Sequence, residues 1–122
     1  AAKALTTIFP DLSDVIGGCG IRVPVPNGSL TDMTLNVSKE TSIEEVNALF
    51  KKASESSFKG IIEYTEDPIV SIDILNSSYS CIFDAQMTSV IGKKLVKLIG
   101  WYDNEIGYSN RLVDLISLIN DK

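Results

Sequence analysis

One amphipathic helix set among short apolar runs constrains this chain most. At Ser42-Ile43-Glu44-Glu45 a hydroxyl residue is followed three positions later by a Glu. In that pattern each side chain caps the other's backbone N–H. Ile43, Val46, Leu49, Phe50 and Ala53 follow at three- and four-residue spacing, which predicts a helix over Ser42 to Glu55 with one apolar face. Around it, Gly18 to Pro24, Ser29 to Val37, Gly60 to Thr65, Ile69 to Leu75, Tyr79 to Phe83, Thr88 to Ile91 and Leu95 to Tyr102 read as strands. Met33, Leu35 and Val37 alternate with polar neighbours, and Pro24-Val25-Pro26-Asn27-Gly28 punctuates two of the runs. Ala1 to Ile8 reads as a helix end stopped by Pro10. Asp103 is the expected N-cap of a final helix, on which Tyr108, Leu112, Leu115, Ile116 and Ile119 share one face. The order of strands, helix, many strands, helix predicts an α+β fold. Its sheet is mixed and largely antiparallel, with helices on one face and a C-terminal helix.

The 122 residues suffice for one core and not for two, and no repeat or linker divides them. Eleven basic against sixteen acidic residues leave a net charge of −5 with no dense Lys/Arg run, so no nucleic-acid partner is expected. The longest apolar runs are a few residues, so neither a membrane span nor a signal peptide is expected. Cys19 and Cys81 are too few for a disulfide framework, which suits a reducing, cytoplasmic setting. The chain holds no His, which excludes within it a Ser–His or Cys–His nucleophile pair and any His-ligated metal. No metal is expected. Gly17-Gly18-Cys19-Gly20 is not followed by a helix and no GxGxxG is present, so no dinucleotide-binding fold is expected in this chain.

Arg22 sits in Ile21-Arg22-Val23-Pro24 between apolar residues. A guanidinium there could grip a phosphate or carboxylate bidentately; a solvated edge-strand Arg or an internal ion pair is the plainer alternative. Asn104 stands where a strand gives way to a helix. Its amide could recognise another amide, or simply serve a turn. Tyr102 and Tyr108 flank it and could wall a pocket or pack in the core. Asp103 and Glu105 could form an acid–base pair, but capping and the helix dipole explain them more simply. Cys19 and Cys81 read as small core residues.

Read together, AAKAL…FPDL, IRVPVPNGSLTDMTLNV, KGIIEYTEDPIVSIDI, FDA and above all WYDNEIGYSNRLVDLI closely resemble the C-terminal part of the glyceraldehyde-3-phosphate dehydrogenase family, in order over essentially the whole chain. The resemblance implies NAD-dependent oxidation of an aldehyde phosphate in glycolysis. A Cys thiolate attacks the carbonyl with a His as base, hydride passes to the nicotinamide, and phosphate cleaves the thioester to an acyl phosphate. It implies that Arg22 binds substrate phosphate and the attacking phosphate. It implies that Asn104 holds the nicotinamide carboxamide, with Tyr108 lining the same pocket and Tyr102 as support. The stripe from Tyr108 to Ile119 would pack on the nucleotide domain, and the whole enzyme would be a homotetramer.

The family's catalytic Cys and His lie upstream of the Ala-Ala-Lys-Ala stretch at which this chain starts. The expectation is therefore a partial catalytic domain over residues 1–122, without the NAD-binding domain, the catalytic Cys/His segment or the Ser/Thr-Gly groups of the phosphate site. Such a chain alone would be inactive, would not hold NAD tightly, and would self-associate. Cys19 and Cys81 fall where the family has no catalytic Cys, and Val25 replaces the Thr often found after RVP. An erythrose-4-phosphate dehydrogenase and a non-catalytic assembly module are the alternatives.

Overall fold

A computed structural model describes residues 2–120. Helix α1 is Ala2–Ile8, and Pro10 opens a 3-10 turn over Pro10–Leu12. Ala1, with which that helix was expected to begin, lies outside the described residues. The remaining elements are β1 (Ser29–Asn36), α2 (Ile43–Glu55), β2 (Ile62–Thr65), β3 (Cys81–Asp84), β4 (Ser89–Ile91), β5 (Leu95–Tyr102) and α3 (Ile106–Asn120). A second 3-10 turn, Ala85–Met87, separates β3 from β4.

The sheet runs β1-β5-β3-β2. β1 lies antiparallel along the whole of β5, from Ser29 opposite Tyr102 to Asn36 opposite Leu95. β3 and β4 divide the other edge of β5, β3 opposite Gly100 and Trp101 and β4 opposite Leu95 to Lys97. β2 closes the far side parallel to β3. The α+β class and the mixed, largely antiparallel sheet are as expected.

α2 forms where its local signals place it. Ser42 Oγ accepts from the Glu45 N–H and Glu45 Oε2 accepts from the Ser42 N–H, each at 3.2 Å. Its apolar face meets the sheet at Val46, which clusters with Phe83, Ala85, Val96 and Leu98. The Phe50 ring stacks on Phe83 with centroids 4.0 Å apart.

Two expected strands are absent. Residues 18–24 run as a loop in which Ile21 is 81% exposed. Gly18 and Gly20 make that stretch costly to order, Pro24 lacks an N–H to donate, and no described strand pairs with it. Residues 69–75 coil into turns, because the Asp73 carboxylate accepts from the Val70 N–H at 2.8 Å and the Asp73 N–H donates to the Val70 carbonyl at 3.0 Å. The apolar alternation there serves one anchor, Ile74, which is fully buried.

α3 leaves the end of β5 and docks by its first turns alone. A Cβ on Gly107 would lie 2.5 Å from the Tyr79 carbonyl oxygen, so only a glycine lets the helix approach this closely. One turn on, Arg111 Nη1 donates to the Gly60 carbonyl at 3.2 Å and to Ser80 Oγ at 3.3 Å. Beyond that, Leu112, Leu115, Ile116 and Ile119 are exposed.

Candidate functional site

The junction between β5 and α3 is organised by Asp103, which is 3% exposed. Its Oδ1 accepts from the N–H groups of Glu105 and Ile106, both at 2.9 Å, and so caps the first turn of α3. Its Oδ2 accepts from the Asn76 N–H at 3.0 Å and from Asn27 Nδ2 at 3.3 Å. One carboxylate therefore ties together the turn before β1, the turn before β3 and the start of α3. The Ile106 N–H, then those of Glu105 and Asn76, hold the Asp103 carboxyl below the usual carboxylate range against the opposing effect of burial, and the Asn27 amide adds to the lowering. Asp103 is thus a structural carboxylate, and the acid–base pairing with Glu105 weighed on sequence has no support in the geometry.

Asn104 follows at the surface. Its Oδ1 accepts from the Ser29 hydroxyl at the start of β1, and its Nδ2 donates to nothing among the described residues. Tyr108, 69% exposed, and the more sheltered Tyr102 flank it in the chain and leave it open to solvent. The core-packing alternative for Tyr108 is excluded by that exposure. These three sequence-chosen residues thus share one junction.

Arg22 stands apart. It lies in the exposed loop 16–28 rather than in a strand, and it forms no hydrogen bond or ion pair among the described residues. The fold ties it to the junction only through the chain to Asn27, five residues away, which allows at most roughly 18 Å between the two Cα atoms. The internal ion pair weighed for Arg22 is not formed among the described residues.

The cysteines divide. Cys19 is exposed in the same loop, against the expectation of a core residue, because that loop has no core to enter. Cys81 is partly buried in β3, and burial pushes its thiol up, away from a reactive thiolate. Its sulfur would be 2.7 Å from a Cβ on Gly100, so β5 needs glycine there. No group of three or more metal-ligating side chains gathers among the described residues. Two shallow grooves, one beside Lys59 and Tyr79 and one beside Ile43 and Lys93, touch none of Arg22, Tyr102, Asn104 and Tyr108.

Sequence reasoning missed Ser29, Asn27 and Asn76. Asn27-Gly28 read as punctuation and Ser29 as the first residue of a strand. For Asn27 and Ser29 the one signal was their place at the end of β1 that meets the end of β5, a pairing that spans some seventy residues of chain; Asn76, in the turn before β3, carried none.

The description "Glyceraldehyde 3-phosphate dehydrogenase, C-terminal domain" belongs to the family whose model matches residues 1–104. Among curated proteins, "Glyceraldehyde-3-phosphate dehydrogenase 2" of Streptomyces avermitilis is 52% identical over 122 residues, covering 100% of this chain and 36% of its own. "Glyceraldehyde-3-phosphate dehydrogenase 1" of the same organism is 50% identical over 121 residues, 99% of this chain and 36% of its own. "Glyceraldehyde-3-phosphate dehydrogenase" of Mycobacterium leprae is 49% identical over 119 residues, 98% of this chain and 35% of its own. The chain thus spans about a third of the length of these relatives. With that likeness running from α1 through the Asp103 junction and along α3, the chain belongs to the glyceraldehyde-3-phosphate dehydrogenase family and matches its C-terminal domain.

Proposed function

We propose that the surface around Asn104 is one wall of the cofactor and substrate site of a phosphorylating, NAD-dependent glyceraldehyde-3-phosphate dehydrogenase of glycolysis. The whole enzyme is read as a cytoplasmic homotetramer acting on glyceraldehyde 3-phosphate and inorganic phosphate. One observation carries the reading. Asn104 presents a free amide N–H pair on a junction braced by a buried, fourfold-bonded Asp103. A rigid, unspent amide at a surface is what recognition of a carboxamide requires.

The residues present fit the nicotinamide end of NAD, which when bound supplies the hydride acceptor. Asn104 Nδ2 would donate to the carboxamide oxygen and fix the ring's orientation. Tyr108 would line the ring's surroundings, with Tyr102 as support behind it. Arg22, whose guanidinium has no partner among the described residues, would take the substrate phosphate and the attacking phosphate by paired N–H donors. These groups bind and orient. The covalent chemistry needs a thiolate and a base: this chain has no His, burial pushes the Cys81 thiol away from the thiolate, and Cys19 stands on the exposed loop with no partner among the described residues. The 122-residue chain alone is therefore expected to show no dehydrogenase turnover.

A rate assay on the whole enzyme carrying this chain tests the reading, with glyceraldehyde 3-phosphate, NAD and phosphate varied in turn. Losing a hydrogen bond to a charged group is worth on the order of 10- to 100-fold. Arg22→Ala is expected to weaken use of aldehyde phosphate and phosphate by about that much, and Asn104→Ala to impair cofactor use. Wild-type kinetics from both variants would overturn the reading.

A further inference from the structure

We propose that Ser29 is a positioning residue for Asn104, and that its hydroxyl sets which end of the Asn104 amide faces the cofactor; the proposal rests on the reading of Asn104 given above. A side-chain amide offers an acceptor at one end and two donors at the other, and a half-turn about the last bond exchanges them. In the structure Ser29 Oγ–H donates to Asn104 Oδ1. The hydroxyl has no other acceptor among the described residues. Turning the amide would instead have Nδ2 donate to Oγ, which spends one of its two N–H groups on Ser29 and leaves the exposed hydroxyl proton to solvent. With Oδ1 engaged, both N–H groups of Nδ2 are left without an acceptor among the described residues.

Ser29 is itself held in place. It opens β1 directly opposite Tyr102, two residues before Asn104. The preceding turn is fixed by the Gly28 N–H donating to Asn27 Oδ1 at 2.8 Å and by Asn27 Nδ2 donating to Asp103. Gly28 adopts a φ of +91, and a Cβ there would meet the Ser71 carbonyl oxygen at 2.9 Å. The donor that orients Asn104 therefore stands on a strand end and a packed turn, not on a free loop.

The test uses the whole enzyme with Ser29→Ala, Ser29→Thr and Asn104→Ala. Two quantities are read: the KM for NAD against kcat, and the nicotinamide face that receives label from an aldehyde phosphate deuterated at its carbonyl carbon, located in the reduced cofactor by proton NMR. Ser29→Ala is expected to raise the KM for NAD roughly three- to tenfold, the effect of one neutral hydrogen bond. It should also place detectable label on the second face, as should Asn104→Ala. Ser29→Thr keeps the hydroxyl and should restore both. A loss of melting temperature in Ser29→Ala with KM and labelled face unchanged would reduce Ser29 to a structural role and overturn the proposal, as would a Thr variant that behaves like Ala. If Asn104→Ala alone moves both quantities, the function stands and the role of Ser29 falls. If Asn104→Ala is silent too, both fall.

Discussion

Asp103 shows how one side chain can set the shape of a site without facing a ligand. Its four donors come from residues 27, 76, 105 and 106, so its charge is part of the tertiary fold. Its folded pKa is lowered, so its contribution is present above the unfolded carboxylate value of about 3.9 and fades as pH falls through the folded value. Asp103→Ala is expected to lower the melting temperature at pH 7, and the gap from wild type should narrow below about pH 4 as the wild-type carboxylate is protonated. Melting curves from pH 7 to pH 2 check this; a gap independent of pH would mean the carboxylate's charge contributes nothing. The capping half of this role was legible in the sequence, since an Asp before an apolar periodic run is a local signal. The other half was not, because Asn27 and Asn76 reach Asp103 across long stretches of chain that no local pattern spans.

At the scale of the element, the helices and strands that were legible carry their signals within themselves. α2 has its capping box, which forms as read, and its three-and-four spacing, of which Val46, Phe50 and Ala53 turn inward while Ile43 and Leu49 stay exposed. Residues 18–24 and 69–75 have strand-like composition, but a strand also needs a partner edge, and composition does not say whether one exists. Packing decides two further outcomes. Phe83 is 3% exposed and stacked on Phe50, so Phe83→Ala should destabilise the chain by about 3–5 kcal/mol in denaturant unfolding. Gly107→Ala sets propensity against packing. Alanine in a helix is better than glycine by about 1 kcal/mol, but its Cβ would sit 2.5 Å from the Tyr79 carbonyl oxygen, which is backbone and cannot swing away. Overpacking of this kind costs about 1–3 kcal/mol, so the net sign should be destabilising. A stabilised Gly107→Ala would show that α3 does not dock where the structure places it.

The whole molecule has more apolar surface than its one core can use. α2 covers the sheet where β5, β3 and β2 meet, while α3 turns Tyr108, Leu112, Leu115, Ile116 and Ile119 to solvent, each between 44% and 69% exposed. A contiguous stripe of this kind is unusual on a chain that acts alone. Its excess was legible in the sequence, where the final helix has a wider apolar face than a small domain needs. Spacing defines a face and says nothing of its partner; the nucleotide domain expected to cover it came from the family resemblance alone. With nothing else present, the cheapest cover is another copy of the stripe. The isolated chain is therefore expected to self-associate with rising concentration in light scattering and to bind a hydrophobic dye. Leu112→Lys combined with Ile116→Lys should return it to a monomer. Because both positions are solvent-exposed, stability should change by only about 0.5 kcal/mol per site. If the wild-type chain instead stays monomeric and dye-free at high concentration, α3 must fold back onto the sheet in solution. In that case the double Lys variant would unfold the chain rather than solubilise it, so the same pair of substitutions tells a docked helix from an orphaned one.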